Sequence, residues 1–226
     1  MLRPPKAFIS WSSGKDSAFA LHEARRTGAA EIVGVLTTLN EVYGRVAMHG
    51  VRDSVLDRQI AALGLPALKV MLPDPCSNEI YQQRMARACE RLLSQGVSHM
   101  VFGDLFLEDI RAYREQQLAA VGVTPLFPLW QRNTAALARE MIASGLMAHL
   151  VCVDPRRLGR EFAGRRFDRN LLEELPPDVD PCGENGEFHT VVSAGPMFAA
   201  PVQVSVAGVL ERDGFVFADV TDGGTS

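Results

Sequence analysis

The sequence predicts an α/β fold: a parallel sheet with helices on both faces, followed by a smaller α+β C-terminal region. Three observations carry this. Up to about residue 130, short β-branched apolar runs alternate with amphipathic stretches of helix length, the pattern of right-handed βαβ units. After Pro128 the texture changes, and arginines, prolines and acids crowd together. The chain then ends in two β-rich runs joined through Arg212-Asp213-Gly214, and Asp-Gly between alternating apolar runs signals a hairpin. The expected division is 1–130 for a nucleotide-binding region and 131–226 for an acceptor-binding one.

Each element has its own warrant. Lys6–Trp11 reads as a buried strand and Ser17–Arg26, apolar at helical spacing, as a helix. Glu31–Leu39 is rich in β-branched residues and reads as a strand. Val51–Leu63 is an amphipathic helix stopped by Gly64 and Pro66. Leu68–Leu72 is a strand, and Ser77 caps a helix running to about Gln95. Met100–Phe102 is a strand, Glu108–Val121 a helix and Thr124–Phe127 a strand. Asn133–Ser144 is a further helix and Met147–Val153 a further strand. Pro201–Val209 and Phe215–Val220 supply the hairpin, and Asp222–Ser226 are expected to fray.

Composition narrows the function classes. Of 226 residues, 47% are hydrophobic and 22% charged, which are ordinary globular values. No window approaches the ~18 apolar residues that a membrane span needs. The start, MLRPPKAFISW, has two prolines and no small-residue cleavage site, so no secretory signal is expected. Cys76, Cys89, Cys152 and Cys182 form no C-x-x-C pair, which argues against a cysteine-held metal and fits a reducing cytoplasm. A net charge of −4 offers no field to attract nucleic acid.

The chemistry concentrates in Ser10-Trp11-Ser12-Ser13-Gly14-Lys15-Asp16-Ser17, between the first strand and the first helix. Small residues let the backbone approach an anion, and the helix start presents N–H groups to it. Lys15 adds a charge and the serines add hydroxyl donors. The G-K-[ST] ending of a Walker A loop is absent. The alternative is a flexible turn with Asp16 or Ser17 as N-cap.

The loop resembles the PP-loop, S-G-G-K-D-S, of the adenine nucleotide α-hydrolase superfamily, with Ser13 at the first glycine. The resemblance implies a Rossmann-like sheet and cleavage of ATP to AMP and pyrophosphate. It implies that Ser12, Ser13, Gly14, Lys15, Asp16 and Ser17 hold pyrophosphate and Mg²⁺. Ser10, Thr37 and Gly103 join the ATP set, and Asp16 and Asp104 the metal set. If the loop needs positive φ at Ser13, serine is strained where glycine is not. Asp16→Asn is expected to stop pyrophosphate release with the fold intact.

Further runs resemble diphthine–ammonia ligases: Phe102-Gly103-Asp104, Arg111, Tyr113-Arg114-Glu115, Pro125–Trp130, Leu158-Gly159-Arg160 and Cys182–Thr190. They cover most of residues 6–198. Those ligases amidate a carboxylate on a modified histidine, using ATP and ammonium through an acyl-adenylate. The resemblance implies ATP and Mg²⁺ as cofactors, with AMP, ammonium and a carboxylate acceptor, small molecule or protein side chain, as partners. A homodimer is compatible with the sequence. Lys15, Asp16, Glu184, Glu187 and His189 are the catalytic candidates. His49, Arg111, Arg114, Glu115, Arg160 and Gly186 are candidates for acceptor or phosphate binding. Where the ligases carry E-G-G-E-Y-E-T, this chain has Glu184-Asn185-Gly186-Glu187-Phe188-His189-Thr190. It resembles a short, divergent bacterial-type branch, so nucleotide chemistry transfers further than acceptor identity.

Bland alternatives stand beside these roles. Asp104 could be a helix N-cap, and Arg111, Arg114 and Glu115 a solvated helical face. His49 could mark a turn, and Cys182 reads as a buried filler. Arg156, Arg157, Arg160, Arg165, Arg166 and Arg169 form a basic patch interleaved with acids. Two other functions remain open: a tRNA-modifying PP-loop enzyme and a nucleotide sensor without turnover.

Overall fold

The computed structural model describes residues 3–47 and 49–223. Of the tail expected to fray, Gly224–Ser226 lie outside the described residues, as do the first two residues of the start read for a signal sequence. The chain runs β1 (Lys6–Ser10), α1 (Lys15–Thr27), β2 (Glu31–Asn40), β3 (Arg45–Val46), α2 (Asp53–Leu63), β4 (Ala67–Leu72), α3 (Asn78–Ser94), β5 (His99–Val101), α4 (Glu108–Ala119) and β6 (Thr124–Leu126). The parallel strands lie in the order β4-β2-β1-β5-β6, and β3 pairs antiparallel with the end of β2. From β1 the chain winds outward through β2 to β4, then returns to β5 on the other side. The order therefore reverses between β1 and β5, and a crevice opens at their carboxyl ends.

Period-2 alternation sorts this sheet's residues onto two faces. Ala7, Ile9, Val35 and Val101 join one buried cluster, while Phe8, Leu36 and Met100 join the other. The second cluster packs beneath α3, with Cys89 and Leu92. Ser77 caps α3 as expected, its Oγ accepting from Ile80 N at 3.3 Å.

The remainder runs α5 (Thr134–Ala143), β7 (Met147–Val153), a 3₁₀ turn at Arg160–Phe162, α6 (Arg169–Glu174), β8 (Phe188–Ala194), β9 (Ser205–Arg212) and β10 (Phe215–Thr221). A second, antiparallel sheet has the order β8-β7-β10-β9. The hairpin turn holds Asp213 and Gly214 at φ 53° and 80°, the two positive values a type I′ turn requires. Leu150, Val191 and Val216 of this sheet share one cluster with Ala7 and Ile9 of the first. The two sheets therefore close over a continuous apolar interior.

Three elements depart from the sequence reading. β9 starts at Ser205 rather than Pro201, because its span is fixed by pairing with β10. α6 forms inside and just beyond the arginine-dense stretch, capped by Asp168 accepting from Leu171 N at 2.9 Å. β3 is two residues long and depends on its pairing with Leu39 and Asn40.

Candidate active site

The Ser12–Ser17 turn sits at the carboxyl end of β1, at the crevice between β1 and β5. Ser12 Oγ lies 3.1 Å from Ser17 Oγ, and Ser17 Oγ donates to Gly14 O at 3.0 Å. Ser13 has φ 70°, the left-handed conformation the sequence flagged as strained for serine. The second sheet holds it there. Ser13 O accepts from Val192 N at 2.9 Å and from Gln59 Nε2 at 3.1 Å. Gln59 is fully buried, and it also bonds Trp11 Nε1 and Val192 O. Ser13 Oγ is buried with no hydrogen-bond partner. Ser13→Gly is expected to stabilise the fold by about 1 kcal/mol, the strain relieved less the added chain entropy. A thermal melt would read this as a rise of roughly 2–4 °C.

Lys15 departs from its expected place. Its side chain is 1% exposed, and Nζ reaches both Asp16 oxygens at 2.8 and 2.9 Å and the Cys182 carbonyl. The Phe188 and Phe167 rings flank Nζ at 5.3 and 5.5 Å from their centroids. Burial is the largest single effect and lowers this pKa, but Asp16, with Cys182 and Glu184 added, raises it overall and the ammonium stays charged. Lys15 thus ties α1 to the 182–184 loop. Asp16 is its counter-charge, so Asp16→Asn leaves a buried cation short of a partner. Asp16→Asn should therefore also lose about 2–3 kcal/mol of stability. Urea unfolding of the variant checks this.

A cavity of about 590 Å³ opens beside the turn, within the range that holds nucleotide-sized ligands. Ser10, Ser12 and Thr37 line it from the strand ends, and Met85, Cys89 and Leu118 from α3 and α4. Thr37 Oγ1 is buried without a partner. His49 and His189 stand at the same cavity with ring centroids 4.6 Å apart. His49 Nδ1 lies 3.1 Å from Thr190 O, so it donates there and leaves Nε2 as acceptor. Burial pushes His49 down to about 3 and His189 to about 4, with the neighbouring ring adding to the former. Both imidazoles are neutral near pH 7. Thr190 Oγ1 also accepts from Lys15 N at 3.0 Å.

The 180–190 segment separates two glutamates that the sequence placed together. Glu184 Oε1 accepts from Leu105 N at 2.7 Å, beside the end of β5. Burial, with the fields of Asp16 and Asp104 added, pushes its carboxyl up to about 7 despite that N–H. Glu187 is 1% exposed and faces inward. It accepts from Asp180 N and Asn185 N at 3.0 Å and from Asn185 Nδ2 at 3.1 Å. Its observed role is to hold the loop's shape, which departs from the catalytic expectation. Glu187→Ala should cost about 2–3 kcal/mol by stranding these donors, read by denaturant unfolding. Gly186 is a turn residue at φ 85° with nothing near its Cβ position. Cys182 is buried, its thiol pushed up by burial, and it donates to Thr134 O.

Gly103 meets the backbone of Asp16 so closely that only glycine fits. A Cβ there would lie 2.6 Å from the Asp16 carbonyl carbon. Asp104 follows, ion-paired to Arg114 at 2.9 Å, while Arg114 stacks on Phe102 at 4.4 Å. Asp104 Oδ2 is buried and receives no aligned hydrogen bond. Arg111 and Glu115 bond each other at 2.7 Å, and Arg111 lies over Trp130 and Phe127, outside the large cavity. Arg160 is remote, binding Glu211 and Val209 O on the hairpin. Arg156, Arg157 and Arg165 also pair with acids, which neutralises most of the basic patch. Among the described residues, no three His, Cys, Asp or Glu side chains cluster as a metal site, and no helix is long and apolar enough to cross a membrane.

Sequence reasoning assigned no role to Gln59 or Thr190. Gln59 left one signal: it stands on the apolar face of α2, in line with Val55, Leu56 and Leu63.

Comparison with known proteins shows the family. Residues 5–125 match the diphthamide synthase N-terminal domain and residues 133–217 the diphthamide synthase C-terminal domain. A zebrafish (Danio rerio) diphthine–ammonia ligase is 30% identical over 92% of this chain and 90% of its own length. The human enzyme of that name is 32% identical over 50% of this chain and 45% of its own length. The Schizosaccharomyces pombe enzyme is 32% identical over 41% of this chain and 16% of its own. The chain thus spans most of the zebrafish protein but less than half of the human and yeast ones. With both domains matched in order across the two sheets, the chain belongs to the diphthamide synthase family, whose relatives here are diphthine–ammonia ligases.

Proposed function

We propose that the chain is an ATP-dependent, amide-forming ligase of the PP-loop type, acting on a carboxylate acceptor. One observation carries the reading. The β1/β5 crevice brings together the Ser12–Ser17 turn, the Asp104 carboxylate and the Glu184 carboxyl poised near neutrality. ATP occupies the 590 Å³ cavity, its base against the apolar side chains of α3 and α4 and its phosphates over the turn. The unpartnered hydroxyl of Thr37, at the cavity wall, is available to the nucleotide. Mg²⁺ would be held by one or two carboxylates completed by phosphate oxygens; Asp104 and Asp16, now ion-paired to Arg114 and Lys15, are the candidates, and the ion would offset charge on the leaving pyrophosphate.

An acceptor carboxylate oxygen bonds to the α-phosphorus, and the bridging oxygen leaves with pyrophosphate. Ammonia then bonds to the acyl carbon, and the carbon–oxygen bond to AMP breaks. The nitrogen's surplus proton passes to Glu184, whose pKa of about 7 suits a base near neutrality. The neutral His49–His189 pair lines the cavity beside the turn. Phosphorus NMR with ATP, Mg²⁺ and ammonium, with and without host-cell extract, tests this. AMP plus pyrophosphate that depends on the extract is expected. ADP plus phosphate would overturn the reading.

A further inference from the structure

A second cavity of about 200 Å³ adjoins the first. His189, Val46 and Ala47 line both, so the two share a wall. Its floor follows from sheet register. His189 on β8 stands opposite Cys152 on β7, which stands opposite Phe217 on β10. Three adjacent strands thus place an imidazole, a thiol and a phenyl ring side by side. Tyr43 and Arg45, at and beside β3, line it too.

Arg212 lines this cavity. Its guanidinium carbon lies 4.9 Å from the Phe217 ring centroid and 5.5 Å from that of Tyr43, so two aromatic rings hold it. Among the described residues its ion pair is with its own neighbour Asp213, at 3.5 Å, and Asp213 is 85% exposed. Arg45 is already committed to Gly50 O and Asp219. The cavity therefore holds one stacked cation with its donor fork free, above an uncharged floor. Such a fork matches a carboxylate. The same guanidinium covers the faces of the Phe217 and Tyr43 rings.

We propose that this cavity is the acceptor subsite and that Arg212 draws in the carboxylate-bearing end of an acid. The inference rests on the ligase reading, because it assigns the adjoining cavity to ATP. The acid can be a free molecule or a side chain on a protein, and the volume admits only its end.

The test follows the His189 ring resonances in isotope-labelled protein. The probes are benzoate, the peptide acetyl-Ala-Glu-Ala-amide and benzylamine. Benzoate or the peptide should shift His189, and the tighter of the two names the source of the acid. Benzylamine should not shift it. Arg212→Ala should weaken carboxylate binding roughly tenfold or more, and Arg212→Lys by less. Silence with both carboxylates, an equal response to benzylamine, or an unchanged response in Arg212→Ala would overturn the proposal. ATP with Mg²⁺ is titrated into the same samples. Carboxylate binding without ATP binding would instead remove the ligase reading.

Discussion

Glu184→Gln is expected to lower the amide-forming rate by about 10²–10⁴-fold, the range of a lost general base. Glutamine keeps the bond from Leu105 N but cannot take a proton. In the wild type the rate should rise with pH through about 7, as the buried carboxyl ionises. That rising limb should vanish in the variant, while ATP binding persists. A parallel signature lies in stability. The folded pKa is raised above the ordinary 4.5, so the native state holds a proton that the unfolded chain releases. Glu184 therefore favours the fold fully below about 4.5, and this contribution is lost as pH rises to about 7. Urea unfolding at pH 5 and pH 8 should show that difference reduced in Glu184→Gln. A rate within threefold of wild type at every pH would remove Glu184 from the proton transfer.

Gly103→Ala should have the largest effect on the nucleotide site. The added Cβ meets the Asp16 carbonyl carbon at 2.6 Å, and Asp16 O and Ser17 N at 2.8 Å. These are backbone atoms at the first turn of α1, not a side-chain end that could swing aside. Either β5 or the turn must move, and both are pinned in the sheet–helix core. A cost of about 2–3 kcal/mol is expected. Calorimetric titration should also show ATP affinity falling roughly tenfold or more, since displacement of the turn spoils its hydrogen-bond geometry. Unchanged melting and unchanged affinity together would mean that the close approach is unimportant.

Legibility in the sequence followed locality. β7 was read with its observed bounds, because Met147–Val153 is an apolar run between clear breaks. Ser77 could be seen as a cap because its partner is three residues away. β9 was misplaced because its residues are almost all exposed, so no buried alternation marks its start. The site was legible as a loop but not as a network. A lysine in a serine- and glycine-rich turn reads as a phosphate ligand, and nothing nearby indicates that its ammonium ends at a carbonyl 167 residues away. Glu184 and Glu187 look alike on paper. What separates them is which one finds three loop donors and which one is left beside two other carboxylates. Arg212 and Tyr43 meet only when the hairpin folds against the β2–β3 turn.

The bonds that β8 and the loop before it make to the Ser12–Ser17 turn bear on how the two halves depend on each other. Val192 N and Thr190 Oγ1 hold Ser13 O and Lys15 N, and Cys182 O receives the Lys15 ammonium. A gene encoding only the first sheet would make a turn lacking all three clasps. The turn's shape therefore depends on both halves being present. Expressed as separate fragments, neither should bind ATP, and mixing them should restore binding in step with their association.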